Sequence, residues 1–165
     1  VNTVNVINGY TTVATDLFVL MRVMEYTKRM RKVMVFGTFD GIHDGHRHML
    51  KEAKALGDYL IAVVAQDHIV EHLKGHAPRI NLADRFAHLE KEDAVDEVAI
   101  GDHQLYDWGV VKKYKPNIIA VGYDQYALKK DLEKRLNTFD PKPEIKMLSS
   151  FEPSKYHSSI MNHEA

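Results

Sequence analysis

The sequence contains no cysteine, and that absence closes off disulfides, thiolate metal sites and cysteine nucleophiles together. It fits a reducing compartment, so a cytoplasmic location is expected. An excess of one charge is lacking too. The 22 Lys and Arg stand against 23 Asp and Glu, a formal net charge of −1. No overall basic field therefore argues for nucleic acid as a partner. No apolar run is long enough to cross a bilayer. Leu17 to Met24 is broken by Arg22 and falls well short of the roughly 20 residues a span needs. It also lacks the basic leader and the small-residue cleavage site of a secretory signal, so no membrane partner is expected. Internal repeats and low-complexity linkers are missing. So are the dinucleotide fingerprint G-x-G-x-x-G and the phosphate loop G-x-x-x-x-G-K-[ST].

What remains is an ordinary globular composition over 165 residues, 45% hydrophobic and 27% charged, with an unusual 10 histidines. That length predicts one domain with a real core. Residues 1–29 read as an N-terminal extension of uncertain order, with Thr15 or Asp16 placed to cap a short helix. Met21, Met24 and Met30 are alternative starts. The other reading of this stretch is a docking helix or oligomer arm. Residues 30–165 read as a single domain.

From Lys32 onward, strand and helix patterns alternate. Short apolar runs predict strands over 32–37, 59–65, 96–101, 117–122 and 143–148. Apolar residues at helical spacing predict helices over 46–57, 82–94, 106–115 and 126–137, the third weakened by Gly109. This alternation predicts an α/β fold, a Rossmann-like doubly wound five-stranded parallel sheet with helices on both faces. Right-handed crossovers place the loops 37–45, 66–80, 101–105, 122–125 and 149–158 on one edge, where such sheets bind ligands.

The first of these loops is the most informative. A strand ends at Gly37, a glycine-rich loop with Gly41 follows, and a helix begins near Gly45. Unpaired amides and the macrodipole at a helix N-terminus make a ready anion site. His43 and His46 add side-chain donors, so a phosphate chain matches both features. Zinc is the competing reading, with His43, His46 and His48 as ligands. On a helix, however, His48 lies rotated by about 200° from His46, which makes convergence of all three awkward. A purely structural role is the other alternative.

The pattern G-T-F-D-x-x-H-x-G-H at 37–46 resembles the signature of the H-x-G-H nucleotidyltransferase superfamily, in its cytidylyltransferase-like branch. That branch includes glycerol-3-phosphate cytidylyltransferases and archaeal-type FAD synthases. The resemblance runs from about Arg31 to about Ile160. It implies in-line attack of an acceptor phosphate on the α-phosphate of a nucleoside triphosphate, with pyrophosphate leaving. It implies that His43 and His46 bind phosphates and stabilise the transition state. Gly37, Thr38, Phe39 and Gly45 would form the phosphate loop. Lys74 resembles a phosphate-neutralising residue of relatives, and by itself reads equally as a solvated loop lysine. Arg85, in N-L-A-D-R, resembles an arginine that reaches toward the phosphates; Arg79 is a weaker candidate. Asp40 reads as a loop-shaping residue bonding its own backbone, ahead of an acceptor contact. Gly122, Asp124 and Gln125, in G-Y-D-Q, stand where relatives bind ribose and base. Ser158 and Ser159 stand where a hydroxyl-rich motif of relatives binds phosphate, though His157 departs from it.

G-Y-D-Q resembles the FAD synthase side of the branch, which implies ATP and FMN as substrates. Tyr123, Tyr126, Phe151 and Tyr156 are candidates to stack on the flavin. The alternatives are a CTP-dependent enzyme making a CDP-alcohol such as CDP-glycerol, and a non-catalytic nucleotide-binding module. Mg²⁺ or another divalent ion is expected, held mainly through the nucleotide phosphates, with no protein metal site. A homodimer is implied by relatives alone.

Overall fold

The computed structural model describes residues 5–7, 10–12 and 17–150. The chain falls into two compact units, Val1–Met30 and Arg31–Ala165. In the first unit, strands β1 (Asn5–Ile7) and β2 (Tyr10–Thr12) pair antiparallel, with Val6 opposite Thr11. Helix α1 (Leu17–Arg29) follows and ends on Lys28 and Arg29, which suit the negative end of its dipole. Thr15 and Asp16, expected as caps, lie outside the described residues. No described helix is long and apolar enough to cross a membrane.

The second unit is built on strands β3 (Lys32–Gly37), β4 (Tyr59–Val64), β5 (Glu97–Ile100), β6 (Ile118–Val121) and β7 (Glu144–Met147). Their order is β5-β4-β3-β6-β7, and every neighbouring pair is parallel. The chain winds outward from β3 to β4 and β5. It then crosses back to β6 on the other side of β3, so the order reverses between β3 and β6. The loops after those two strands flank the crevice that this reversal opens.

Alternation along the strands explains the layers. Val33 and Val35 of β3 face the cluster that holds Leu50 and Ala53 of helix α2 (Asp44–Lys54) and Leu89 of helix α4 (Leu82–Leu89). Met34 faces the opposite cluster, with Val111 of helix α5 (Gly109–Tyr114) and Leu132 of helix α6 (Tyr126–Arg135). The central strands β4 and β6 are buried almost throughout, as their unbroken apolar runs require. The edge strand β7 alternates Glu144 and Lys146 with apolar residues, which blunts that edge. The doubly wound α/β fold is as expected.

Three expectations need correction. The helix expected over 106–115 begins only at Gly109, which leaves Tyr106 and Trp108 in the loop before it. The stretch 66–80 is not a plain loop. It contains helix α3 (Asp67–Lys74), closed by Gly75 in the left-handed conformation at φ 76°. The expected helix over 82–94 ends at Leu89. Beyond it the chain tightens into i−3 turns, Lys91 N–H to His88 O and Glu92 N–H to Leu89 O, which bring Val95 against the core.

Candidate active site

Strand β3 is pinned at its end, where the Ala65 amide donates to the Gly37 carbonyl at 3.0 Å. Phe39 then takes a positive φ of 52°, an outlier for a bulky residue. Its buried ring lies against Gly37, where a Cβ would come within 2.8 Å of ring carbons. Gly41, at φ 92°, completes the bend. His43 caps α2, and its Nδ1 accepts from the His46 amide at 3.4 Å. That bond leaves Nε2 as the protonated nitrogen of the neutral His43 ring. The His43 and His46 rings stack at a centroid distance of 3.9 Å, and Phe39 lies 5.4 Å from His46. Gly45 sits in the first turn of α2, beneath the pair.

Both rings are held neutral. Burial lowers the His46 pKa to about 3, with His43, Lys74 and Arg47 adding to the shift and the Gly41 backbone opposing it. Burial also lowers His43; Asp44 opposes and Arg47 adds. The buried Nδ1 of His46 has no hydrogen-bond partner among the described residues. Such an unmet atom is costly unless something polar reaches it. Lys74 stands at the end of α3, half-buried, and makes no ion pair or hydrogen bond among the described residues. Burial lowers its pKa first, while Asp40 and Asp124 pull it up and Arg79 and Arg85 push it down. The structure thus brings Lys74 into one electrostatic group with His46, Asp40 and Asp124.

Arg85 is placed differently from expectation. Its side chain is fully buried, and all three guanidinium nitrogens are engaged. Nε donates to Ile80 O at 2.9 Å, one terminal nitrogen to Thr38 O at 2.6 Å, and the other to Asp67 Oδ1 at 2.5 Å. It therefore ties the Thr38 loop to the segment before α4 and to the start of α3, and does not project into the cradle. Asp40 shapes loops, but not through its own backbone. Its carboxylate accepts the amides of Arg79 at 2.9 Å and Ile80 at 2.8 Å, and the Arg79 side chain turns back onto it. His48 points away from the pair, to Ser149 and Glu52.

Across the crevice, Gly122 is buried and Asp124 stands near the cradle. Gln125 departs from its expected role on ribose or base. Its Oε1 accepts the Gly122 amide at 2.9 Å and its Nε2 donates to Phe36 O at 2.8 Å, so both ends of the amide join β6 to β3. Tyr126, a stacking candidate, is 67% exposed. Ser158, Ser159, Phe151 and Tyr156 lie outside the described residues.

A cavity of about 280 Å³ opens beside the cradle, lined by Thr38, Gln66, Leu73, Tyr106, Trp108 and Leu128 among others. Sequence reasoning missed two of its aromatic residues, Tyr106 and Trp108. Both lie in a stretch read as a weak helix, and nothing in their spacing marks them as lining a site.

The sheet order, with His43 capping α2, His46 stacked on it and Lys74 near by, suits an α/β nucleotidyltransferase. A family model described as cytidylyltransferase-like matches residues 34–162, and the chain belongs to that family. Among curated relatives, an FAD synthase of Thermococcus sibiricus is 42% identical over 112 residues, 66% of this chain and 76% of its own. An FAD synthase of Pyrococcus horikoshii is 40% identical over 117 residues, 71% and 79% of the two chains. One from Aciduliprofundum boonei is 37% identical over 133 residues, 81% and 85%. Among solved structures, a lipopolysaccharide core biosynthesis protein from Thermoplasma volcanium superposes with a TM-score of 0.68 at 34% identity, covering 74% of this chain and 99% of that one. Pantoate–β-alanine ligase from Francisella tularensis shares the fold, with a TM-score of 0.58 at 15% identity, covering 84% of this chain and 66% of that one.

Proposed function

We propose that this protein is an FAD synthase, which joins the adenylyl group of ATP to FMN and releases pyrophosphate. The observation that carries this reading is the stacked, neutral His43–His46 pair at the N-terminus of α2, in one electrostatic group with the half-buried Lys74. The names of the curated relatives support ATP and FMN as the substrates.

A phosphate oxygen of FMN attacks the α-phosphorus of ATP. The new bond is that P–O bond; the bond from the α-phosphorus to the oxygen bridging it to the β-phosphate breaks, and pyrophosphate carries the electron pair away. No covalent enzyme intermediate is required, so catalysis is positioning and charge stabilisation. His43 donates Nε2–H, and the α2 amides beside Gly45 point at the same region. Lys74 supplies a positive charge that is half-buried and so less screened by water. Gly37, Thr38 and Phe39 hold the loop close, and Gly122 and Asp124 meet the nucleoside. The resemblance in sequence supports Ser158 and Ser159 as phosphate contacts. Arg85 and Gln125 act as positioning residues.

Among the described residues no three His, Asp or Glu side chains group as a metal cage. A divalent ion, Mg²⁺ or another, would enter with the substrate, held mainly through the nucleotide phosphates.

Pyrophosphate release with ATP or CTP against FMN or glycerol 3-phosphate, with Mg²⁺ or another divalent ion, tests this reading. Release with ATP and FMN is the expected result. Release with CTP and glycerol 3-phosphate alone would assign the protein to cytidylyl transfer. No release with any pair would leave a nucleotide-binding module.

A further inference from the structure

We infer that Tyr106 and Trp108 form the wall on which the acceptor's planar ring system stacks, and that this wall selects the acceptor. The inference rests on the FAD synthase reading and assigns one part of that site. The cavity's volume of about 280 Å³ lies near the lower end of small-molecule pockets, roughly 300–1,000 Å³, which suits one ring system and not a whole dinucleotide. Its lining is mainly apolar, with Leu73, Tyr106, Trp108 and Leu128 converging on it.

The wall is held rigidly. Trp108 Nε1 donates to Asp131 Oδ2 at 2.7 Å, and Phe36 meets the indole edge-on at 5.5 Å. Tyr106 stacks on Trp108 at 5.9 Å, with 24° between the ring planes. Tyr106 and Trp108 both take positive φ, 62° and 60°. Bulky residues in that region are outliers, and such outliers persist only where the surroundings over-determine them, most often around ligands. Here the Asp102 carboxylate closes the loop by accepting the Val110 amide at 3.0 and 3.2 Å. It also packs so tightly on Gly109 that a Cβ there would lie 2.7 Å from Oδ1. A tryptophan that only filled the core would need neither a strained backbone nor a second aromatic ring fixed beside it at the cavity. Tyr106, backed by the nearly parallel and 4% exposed Trp108, presents a face that an isoalloxazine can meet in offset stacking. A small phosphorylated polyol has no face to offer in return.

The test uses the full chain and its Tyr106→Leu, Tyr106→Phe and Trp108→Phe variants, each checked for an unchanged melting temperature. FMN binding without ATP is read by equilibrium dialysis, and FAD formation by steady-state kinetics. Tyr106→Leu is expected to raise both the Kd and the KM for FMN about 5- to 10-fold. The KM for ATP should stay within twofold, Tyr106→Phe should restore FMN binding, and Trp108→Phe should fall between the two. If FAD is made and Tyr106→Leu leaves FMN binding unchanged, the wall is refuted while the function stands. A rise in the KM for ATP instead would assign the cavity to the nucleotide and overturn the inference. If the wild type binds FMN in a Tyr106-dependent way yet makes no FAD, the function falls and the wall stands. Absence of FMN binding by the wild type overturns the inference.

Discussion

The cradle spans ten consecutive residues, Gly37 to His46, and offers backbone amides with two imidazoles. The cavity beside it gathers side chains from β3, α3, the loop before α5, and α6, and offers mainly apolar surface. On the proposed function, the cradle handles a chemistry common to every nucleoside triphosphate, and one contiguous turn suffices for it. The cavity handles whatever distinguishes one acceptor from another. Discrimination of that kind needs surfaces from several elements, each free to vary without disturbing the phosphates. A fold divided in this way can change its substrate while keeping its reaction.

The sharpest way to break this division is to damage the cradle alone. His46→Ala should lower kcat about 100- to 1,000-fold and leave the KM for FMN within a fewfold, with little change in melting temperature. Steady-state kinetics at saturating ATP and FMN measures this. A loss below threefold for both His43→Ala and His46→Ala would remove the histidine pair from the mechanism.

Arg85 probes the frame beneath the cradle. Arg85→Met leaves Asp67 and the carbonyls of Thr38 and Ile80 without their donor. It should cost about 2–3 kcal/mol of stability, since hydrogen bonds from a charged donor are the strong ones. Asp67 is half exposed, so water offsets part of its loss. Urea unfolding reads the cost. A stable variant with selectively weakened ATP binding would instead restore Arg85 as a phosphate ligand.

The smallest effect concerns pH. Folded His46 titrates at about 3, against 6.5 for a free histidine. Between those values the unfolded chain binds a proton that the folded protein does not. Stability therefore rises with pH across this window, is complete above about 6.5, and is lost as pH falls toward 3. The slope from this one group approaches about 1 kcal/mol per pH unit. Urea midpoints at pH 7 and pH 5 should converge for His46→Gln relative to the wild type. An unchanged difference would show that His46 is not held neutral by burial.

Much of this frame was legible in the sequence, for identifiable reasons. The strands stand out because buried parallel strands are unbroken apolar runs, as in Y-L-I-A-V-V. The cradle stands out because its glycines and histidines are contiguous. Helix α3 shows its own signs in the sequence, with Ile69, Val70 and Leu73 at helical spacing and Gly75 closing it, but it is short and lies between loop-like flanks. Residue type alone cannot show that Arg85 spends its donors on two carbonyls and the Asp67 carboxylate, or that both ends of the Gln125 amide bond backbone. Tyr106 and Trp108 were invisible because a cavity wall is defined by residues distant along the chain.

The contact between Phe39 and Gly37 carries a consequence for how this loop can evolve. A methyl group at position 37 would collide with a ring that the core holds in place, while a smaller side chain at position 39 would leave a hole where that ring now sits. Neither position can change first without loss. Drift at this corner requires paired substitutions, so the two residues behave as one inherited character.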